Sequence, residues 1–276
     1  CELGENRGVG FDPAYVPGRS QGKNPDRITF IQDFYSEEYA SYHGDLVCCR
    51  MTLEHISDPA AFVSMVRRSI GERLDTVVFF QVPDVTRILR ECAFEDIYYE
   101  HCSYFSPGSL RRLFEKCAFE VVDLRTEYAG QYLMLEAKPA PGTMRNTSLP
   151  VDNLATITDY LGQFQNNYKN MIDFWRREVK EIQAEGKKAV LWGSGSKGVS
   201  FLTTLNIRDE IEYVVDINRF RQGAFMAGTG QLIVAPGFLR NYKPDIVIIM
   251  NSIYQNEIQN DLSQMGLAPR IMTLGT

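Results

Sequence analysis

The strongest constraint on the fold is an alternation of short apolar segments with longer amphipathic ones, which occurs twice along the chain. Short runs rich in Val, Ile and Phe are typical of buried strands, and apolar residues at helical spacing are typical of helices. Strands that alternate with helices form mostly parallel sheets covered by helices. A length of 276 residues allows about two domains of roughly 150 residues each. We therefore predict α/β domains at 1–138 and 151–276, joined by a linker at 139–150.

The first domain contains six predicted strands and two predicted helices. The strands lie at 7–11, 28–31, 46–49, 76–82, 120–125 and 132–138. One helix lies at 59–70, capped by Ser57 or Asp58, and the other at 107–116, capped by Ser106. We expect these strands to form a mostly parallel sheet.

The second domain begins with one long amphipathic helix, predicted from about 152 to 185 and ended by Gly186. We expect this helix to pack across the junction between the domains. Strands at 189–192, 212–216, 245–250 and 270–274 then alternate with helices at about 198–205 and 255–265. An irregular stretch separates the second of these strands from the third. This order predicts a smaller Rossmann-like domain.

The beginning of the chain predicts that a first strand is missing. Residues 1–5 are typical of the last turn of a helix with a glycine stop, and residues 8–12 of a short strand that ends in an acid. A Rossmann-like domain that opens on a helix end followed by a second strand lacks its first strand. We therefore expect the chain to be a fragment.

Composition and charge exclude several classes of protein. The net charge of −6 argues against nucleic acid or an anionic membrane surface as a partner. No apolar run approaches the roughly 18 residues of a membrane helix, and no signal peptide opens the chain. The six cysteines lie within the first 117 residues without a Cys-x-x-Cys pair, which favours free thiols over disulfides or zinc. These features predict a soluble cytoplasmic protein with no metal site in this chain.

The most regular motif is Gly193-Ser194-Gly195-Ser196-Lys197-Gly198, which fits G-x-G-x-x-G between a predicted strand and a predicted helix. Glycines let a phosphate approach the backbone, and a helix N-terminus offers free N–H groups. Lys197 adds a cation, and Asp216 follows 18 residues after the last glycine, at a strand end. The pattern is compatible with a dinucleotide site, with another phosphate-bearing ligand, or with a tight structural turn.

A second candidate site is the segment 98–105, Tyr-Tyr-Glu-His-Cys-Ser-Tyr-Phe. It lies at the predicted carboxyl end of the first sheet, where open parallel sheets hold their ligands. His101, beside Glu100 and several phenols that include Tyr98, is a candidate acid–base group. A partly buried histidine in an aromatic loop has the same pattern. We interpret His55, just before a helix, as a surface or capping residue.

Two aspartates follow strands of the first domain. Asp12 comes after the strand at 7–11, and Asp33 comes after the strand at 28–31. At such positions one carboxylate can accept hydrogen bonds from ribose hydroxyls, and the next can meet an adenine amino group. Each aspartate can equally cap a turn.

Several segments resemble motifs of one enzyme family. Residues 8–13, Gly-Val-Gly-Phe-Asp-Pro, resemble the second-strand motif of its cofactor domain, and residues 53–59, Leu-Glu-His-Ile-Ser-Asp-Pro, resemble the segment after its fourth strand. Residues 98–101 resemble its catalytic loop. Three further segments resemble the family's C-terminal domain, namely residues 191–198, 215–218 and 228–230. The family is that of the sugar C-methyltransferases, which use S-adenosylmethionine to methylate a ring carbon of nucleotide-linked 4-keto-deoxysugars.

The resemblance covers essentially the whole chain and implies a fold. That fold is an incomplete class I methyltransferase Rossmann-like domain, without its first strand and glycine loop, followed by a second, smaller Rossmann-like C-terminal domain. His101 would be the general base, with Glu100 and Tyr98 beside it in the active site. S-adenosylmethionine would be held at its ribose by Asp12 and near its adenine by Asp33. A nucleotide-sugar substrate would lie against the second domain at Gly193, Gly195, Lys197, Gly198 and Asp216.

The chain departs from the family in two ways. Family members carry an N-terminal zinc-binding module with paired cysteines, and no such pairs are present here, so zinc is expected only in a missing module. The glycine-rich cofactor loop expected before Asp12 is also absent, because Gly8 and Gly10 lie within a strand-like stretch. Both departures fit a truncation. They imply that the chain as given holds the cofactor weakly.

The implied reaction is methylation of a carbon beside a ketone, through an enolate that a histidine base forms. For this reaction we expect His101 to face a cleft between two sheets. One alternative is a nicotinamide-dependent oxidoreductase that uses residues 193–198 and Asp216. Another is a non-catalytic module that binds a nucleotide sugar through the same glycine motif.

Overall fold

The computed structural model describes residues 4–18, 25–140 and 152–274. The strands of the first domain are β1 (Gly8–Phe11), β2 (Ile28–Ile31), β3 (Leu46–Arg50), β4 (Val77–Pro83), β5 (Phe119–Glu127) and β6 (Tyr132–Pro139). Its helices are α1 (Pro59–Ile70), α2 (Val85–Glu91) and α3 (Pro107–Lys116). The six strands, α1 and α3 confirm the sequence prediction within one or two residues. The sequence pattern predicts no helix at α2.

The strands of the first domain form two sheets. β1 pairs with β2 in parallel, and a four-stranded sheet has the order β3-β4-β6-β5. β3 and β4 are parallel, but β6 runs antiparallel to both of its neighbours. β3, β4 and β5 therefore run in one direction, as predicted, and β6 is the antiparallel strand of this sheet. The cause is the tight turn between β5 and β6, in which Tyr128, Ala129 and Gly130 all have positive φ and reverse the chain at once.

Local capping sets where α1 and α3 begin. The Asp58 carboxylate accepts the N–H of Ala61 at 2.9 Å, just ahead of Pro59. Ser106 and Ser109 form a reciprocal capping box at the start of α3. Apolar residues at helical spacing then bury one side of each helix against the four-stranded sheet. The core formed there includes Val63, Phe80, Leu110, Phe114 and Leu135.

The second domain is built on one parallel sheet. Its strands are β7 (Ala189–Trp192), β8 (Tyr213–Val215), β9 (Leu232–Val234), β10 (Ile246–Ile249) and β11 (Arg270–Thr273). Its helices are α4 (Leu154–Ala184), α5 (Ser196–Leu205), α6 (Leu239–Tyr242) and α7 (Gln255–Gln264). The sheet order β11-β10-β7-β8-β9, parallel throughout, is the Rossmann arrangement and confirms that prediction. The sequence pattern does not predict β9 or α6.

The long helix α4 packs across the junction, as predicted. Its apolar side chains at Ile172, Trp175, Val179 and Ile182 are buried in the core of the second domain. The same core contains Phe94, which comes from the first domain. The two domains therefore share part of one apolar core.

Other predictions fall partly on residues outside the described ranges. Most of the linker at 139–150 and the first three residues of the chain lie there. Within the described ranges, Cys48, Cys49, Cys92, Cys102 and Cys117 are free thiols, as predicted. Among the helices of those ranges, none combines the length and the apolar character needed to cross a bilayer.

Candidate active site

Two loops meet at the carboxyl end of the four-stranded sheet. One is the single-turn helix Leu53–His55, which follows β3. The other, here called the site loop, comprises residues 94–105 between α2 and α3. Because β3 and β4 are adjacent and parallel, the segments that follow them leave the same edge of the sheet. The sequence predicts the active site at this edge.

Hydrogen bonds hold the site loop against the turn that follows β3. The carbonyl oxygen of Glu54 accepts the N–H groups of Cys102 at 2.8 Å and Ser103 at 3.1 Å. Nδ1 of His55 lies 2.9 Å from the carbonyl oxygen of Glu100. Because a carbonyl oxygen can only accept, Nδ1 carries the proton of this bond.

The His101 ring lies at the centre of these contacts. Its centroid is 4.0 Å from the ring of Tyr98, 5.0 Å from that of His55 and 5.7 Å from that of Tyr104. His101 is 7% exposed, and neither ring nitrogen has a side-chain hydrogen-bond partner among the described residues. The expectation of an imidazole open to a cleft is therefore wrong, because aromatic rings cover it.

Burial controls the protonation of His101. Burial lowers the pKa of the ring, and the nearby His55 lowers it further, while the charge of Asp96 acts in the opposite direction. The ring is therefore neutral at pH 7. A neutral imidazole whose nitrogens lack side-chain partners is suited to accept a proton.

A buried carboxyl group lies beside the two histidines. Glu54 is 1% exposed, and its carboxylate oxygens have no hydrogen-bond partner among the described residues. Burial raises the pKa of Glu54. Its oxygens lie within 4.8 Å of ring nitrogens of His55 and His101. Two imidazoles and a carboxyl group this close together form a cluster of acid–base groups.

Tyr98 and Glu100 share the site loop but have different surroundings. Burial raises the pKa of the Tyr98 phenol, and a hydrogen bond with the Ser196 side chain of the second domain lowers it in part. Tyr98 therefore remains a hydrogen-bond donor at pH 7. Glu100 is exposed. The structure brings the Tyr98 ring to His101, whereas Glu100 reaches the cluster through its backbone carbonyl.

Asp12 and Asp33 lie just beyond the carboxyl ends of the parallel strands β1 and β2. Asp12 accepts the N–H of Ala14 at 2.8 Å. Asp33 accepts the hydroxyl of Tyr39 and the N–H of Phe34, and these two bonds lower its pKa. Phe34 is 74% exposed next to these acids. Two carboxylates and an open aromatic face fit the hydroxyls and the base of an adenosine, although the roles assigned to both aspartates stay predictions.

The glycine loop, residues 193–198, has the predicted setting between a strand and a helix. It follows β7, and Gly195 is the N-cap residue of α5. Gly193 has a φ of +120°, and a Cβ at position 198 would lie 2.3 Å from the carbonyl oxygen of Gly193. Both glycines are therefore required by the packing of the loop on itself.

Asp216 is bonded to the glycine loop. One of its carboxylate oxygens accepts the N–H of Ser194 at 3.0 Å and also its hydroxyl, and the other accepts the N–H of Asn218 at 2.8 Å. Burial raises the pKa of Asp216, but these bonds and the nearby Arg221 outweigh it, so that the pKa is lowered. Both oxygens have partners inside the domain. This arrangement disfavours the alternative in which Asp216 holds the ribose of a dinucleotide.

Lys197 points from the glycine loop toward the first domain. Its Nζ lies 2.9 Å from a carboxylate oxygen of Asp96 and 3.3 Å from the side-chain oxygen of Gln131. The two charged residues of the predicted nucleotide-sugar site thus already have partners in the protein. The substrate roles of Gly193, Gly195, Lys197, Gly198 and Asp216 stay predictions.

The sequence pattern does not predict that Glu54, His55 and Asp96 lie near the His101 ring. Glu54 and His55 belong to the Leu-Glu-His segment that carries part of the resemblance, so that segment is a signal for them. His55 is exposed, as predicted, but its ring also contacts His101. Asp96 lies in the turn Phe94–Asp96, which matches no motif.

Two family models match the chain. A methyltransferase domain matches residues 3–124, and a C-methyltransferase C-terminal domain matches residues 151–268. These ranges fall on the first and second domains of the structure. Each domain therefore resembles a separate part of a methyltransferase.

Comparison with single proteins gives a similar result. C-methyltransferase NovU from Streptomyces niveus is 28% identical in an alignment of 266 residues that covers 91% of this chain and 63% of that protein. The chain thus spans less than two thirds of the length of this curated relative.

Solved structures overlap only partly with this one. The dimethyltransferase RosA from Streptomyces davawensis has a TM-score of 0.39 at 13% identity, over 49% of this chain and 42% of its own. A 16S rRNA (adenine(1408)-N(1))-methyltransferase from Catenulisporales acidiphilia has a TM-score of 0.33 at 19% identity, over 48% and 72%. Overlaps of this size carry no conclusion about fold or activity.

Proposed function

Because both domains match methyltransferase family models and a C-methyltransferase is 28% identical to the chain, we propose that it takes part in S-adenosylmethionine-dependent methylation of a carbon beside a ketone. We propose a nucleotide-linked 4-keto-deoxysugar as the substrate and His101 as the base. One observation carries the proposal: a buried, neutral imidazole at the carboxyl end of a sheet, whose ring nitrogens have no side-chain hydrogen-bond partner among the described residues. Buried polar groups normally have hydrogen-bond partners, and a bound ligand would supply one here.

The base acts first in this mechanism. A proton on a carbon beside a ketone is acidic because its loss gives an enolate. His101 is neutral at pH 7, since burial lowers its pKa, and can take this proton. A positioned general base contributes about 10²–10⁴ in rate.

Tyr98 is placed to stabilise the enolate. Its ring centroid is 4.0 Å from that of His101. Burial raises the pKa of its phenol, so the O–H proton stays in place at pH 7. A phenol in this position donates a hydrogen bond to the oxygen on which negative charge develops.

Glu54 compensates the charge that His101 gains. A proton on the imidazole makes it a cation in a buried site, which is unfavourable unless an opposite charge lies close. An ionised Glu54 carboxylate within 4.8 Å of the ring offsets this positive charge, so the imidazolium is not an isolated buried charge.

The described residues that fit the cofactor are those suited to its adenosine part. Asp12 and Asp33 offer carboxylates to ribose and adenine, and Phe34 offers an aromatic face. S-adenosylmethionine, when bound, supplies the methyl group that the carbanion takes up. The sugar class of the substrate is supported by the sequence resemblance of residues 98–101 and of the C-terminal segments.

The test separates proton removal from methyl transfer. The full-length protein is incubated in D₂O with a nucleotide-linked 4-keto-deoxysugar, and NMR follows deuterium entry beside the ketone while mass spectrometry follows methylation. His101→Ala should slow both by about 10²–10⁴, because the base is lost. Binding of S-adenosylmethionine, measured by calorimetry, should change little, since the cofactor residues lie on other strands.

The matched control is His43→Ala, which removes an exposed histidine of the same domain. It should leave exchange, methylation and cofactor binding unchanged. Deuterium exchange at the normal rate in His101→Ala would show that another group is the base. An absence of methylation by the unaltered protein, with every nucleotide-linked 4-keto-deoxysugar offered, would reject the proposed substrate class.

A further inference from the structure

Lys197, the cation of the glycine loop, forms an ion pair at the domain junction. Lys197 and Asp96 form an ion pair at 2.9 Å, with only 14% and 13% of their side chains exposed. Gln131, in the turn before β6, accepts a second hydrogen bond from the Lys197 ammonium group at 3.3 Å. An ion pair that is mostly shielded from solvent is screened less than a surface pair.

Asp96 connects this ion pair to the site loop. The carboxylate oxygen that accepts from Lys197 also accepts from Arg87 at 2.6 Å, so one oxygen lies between a cation of each domain. Asp96 stands two residues before Tyr98, whose carbonyl oxygen accepts the N–H of His101 at 3.1 Å. Burial and the nearby His55 lower the pKa of the imidazole, and the charge and the backbone of Asp96 act against them.

Two further contacts join the same parts of the domains. The side chain of Ser196, which begins α5, is hydrogen-bonded to the phenol of Tyr98. The Gln131 amide donates to the Asn251 side chain at the end of β10, at 3.0 Å. The packing of Gly198 on the glycine loop holds the first turn of α5 in place. Lys197 is therefore presented to Asp96 from a rigid position.

We propose that Lys197 is a positioning residue of the first domain's active site: its ion pair with Asp96 fixes the site loop and balances the negative charge beside His101. The catalytic meaning of this inference rests on the proposed function, but the ion pair and its effect on the histidine do not. The glycine loop then serves as the second domain's contact to the active site.

Several charged or titratable groups surround the His101 ring. From the turn after β3 and from the site loop come Glu54, His55, Asp96, Tyr98, Glu100 and Tyr104. Arg87 of α2 and Lys197 of α5 act through Asp96. Loss of the Lys197 charge leaves Asp96 balanced by Arg87 alone. The negative charge beside the imidazole then increases, and the ring holds a proton to higher pH.

The direct test is an NMR titration of the histidine rings in the folded protein, without substrate or cofactor. The chain has three histidines, so the His101 signal is assigned by its absence from a His101→Gln sample. Lys197→Met should move the His101 midpoint to higher pH, and Lys197→Arg, which keeps the charge, should restore it. Lys187→Met removes an exposed lysine that pairs with Glu185 and should have no effect.

A double-mutant cycle identifies the partner. In an Asp96→Asn background the charge that Lys197 balances is gone, so Lys197→Met should move the His101 midpoint less than it does in the unaltered protein. Should Lys197→Met not fold, Lys197→Gln removes the charge while it keeps a hydrogen-bond donor. A His101 midpoint that stays in place in the folded Lys197 variant overturns the proposal.

The pH dependence of kcat is a second measurement that tests the proposal. At pH 7 Lys197→Met should lower kcat about threefold to tenfold, with recovery at higher pH as the base deprotonates. A loss that is equal at all pH values would indicate simple damage and would contradict the charge effect. If the protein methylates no keto-sugar, the proposed function fails, but the NMR titration still decides the role of Lys197.

Discussion

The site loop of the first domain and the glycine loop of the second satisfy their buried polar groups in opposite ways. At the site loop, His101 and the neighbouring Glu54 are buried with no side-chain hydrogen-bond partner among the described residues. At the glycine loop, Asp216 and Lys197 each have two or more partners. An unsatisfied buried polar group costs about 1–3 kcal/mol of stability. The comparison teaches that, within the described ranges, the first loop leaves buried side chains without side-chain partners, whereas the second loop supplies partners for its own.

The glycine loop has the more regular sequence motif, but the site loop has the buried side chains without side-chain partners in the described part of the chain. The glycine motif is regular because a strand, a tight turn and a helix must pack closely, and Gly193 and Gly198 meet that steric need. The site loop matches no general pattern, because its chemistry depends on side chains from two separate segments. Regular spacing in this chain therefore reports packing more than chemistry.

The largest expected effect on stability comes from adding a side-chain atom at the tightest contact within the glycine loop. Gly198→Ala would place a Cβ 2.3 Å from a backbone oxygen, which neither group can avoid without moving the loop. We expect a loss of about 3 kcal/mol in the free energy of unfolding, measured with urea. Gly162→Ala is the matched control, because that glycine lies in α4 with nothing within 4 Å, and it should stabilise by about 0.5 kcal/mol. A neutral Gly198→Ala would break the comparison.

A smaller loss in the free energy of unfolding is expected when Asp216 loses one hydrogen-bond donor. Ser194→Ala removes the hydroxyl that donates to the buried carboxylate, at a cost of about 1.5 kcal/mol at pH 7. The pKa of Asp216 is lowered in the folded state, so this stabilisation exists above its ordinary pKa and is lost as the pH falls through the lowered value. The difference between variant and parent should therefore shrink in acid. Ser263→Ala, at an exposed helix serine, should show neither effect.

The smallest expected effect has the opposite sign. Glu54→Gln removes a buried acid whose pKa burial raises, while the shape of the side chain is kept. A raised pKa means that stability is present below the ordinary pKa of the acid and is lost as the pH rises through the raised value. The variant should therefore be more stable than the parent by about 1 kcal/mol at pH 8 and equal to it near pH 4, by urea unfolding.

Glu72→Gln, which replaces an exposed acid of the same domain, is the control for Glu54→Gln. It should leave stability unchanged at both pH values. A Glu54→Gln variant that loses stability at pH 8 would show that Glu54 has a structural role. The contrast between the two loops would then no longer hold.

The sequence predicts most elements of this fold because local rules decide them. The caps Asp58 and Ser106 and the period of apolar residues place α1 and α3 correctly. Pairing direction within the first sheet depends on a turn whose non-glycine residues adopt positive φ, which no residue preference announces. β9 has only three residues, Leu232–Val234, too short for a periodic signal.

The sequence predicts the part of the site that one local segment forms, and it does not predict the part that tertiary contacts form. His101 and Tyr98 stand close together in the sequence, and their neighbourhood follows from one loop. The contact of His101 with Glu54 and His55 depends on β3 and β4 being adjacent, which only the sheet order shows. The burial of the imidazole and the pairing of Lys197 with Asp96 are tertiary facts. Spacing along a chain does not contain them.

The placement of the two tryptophans has a practical consequence. Trp175 lies in α4 and Trp192 in β7, and the chain contains no others. Indole emission during denaturation therefore follows the second domain alone, whereas circular dichroism follows both. If the shared core around Phe94 couples the domains, the two optical transitions coincide. If the first domain unravels early, ellipticity changes while the emission spectrum is still native.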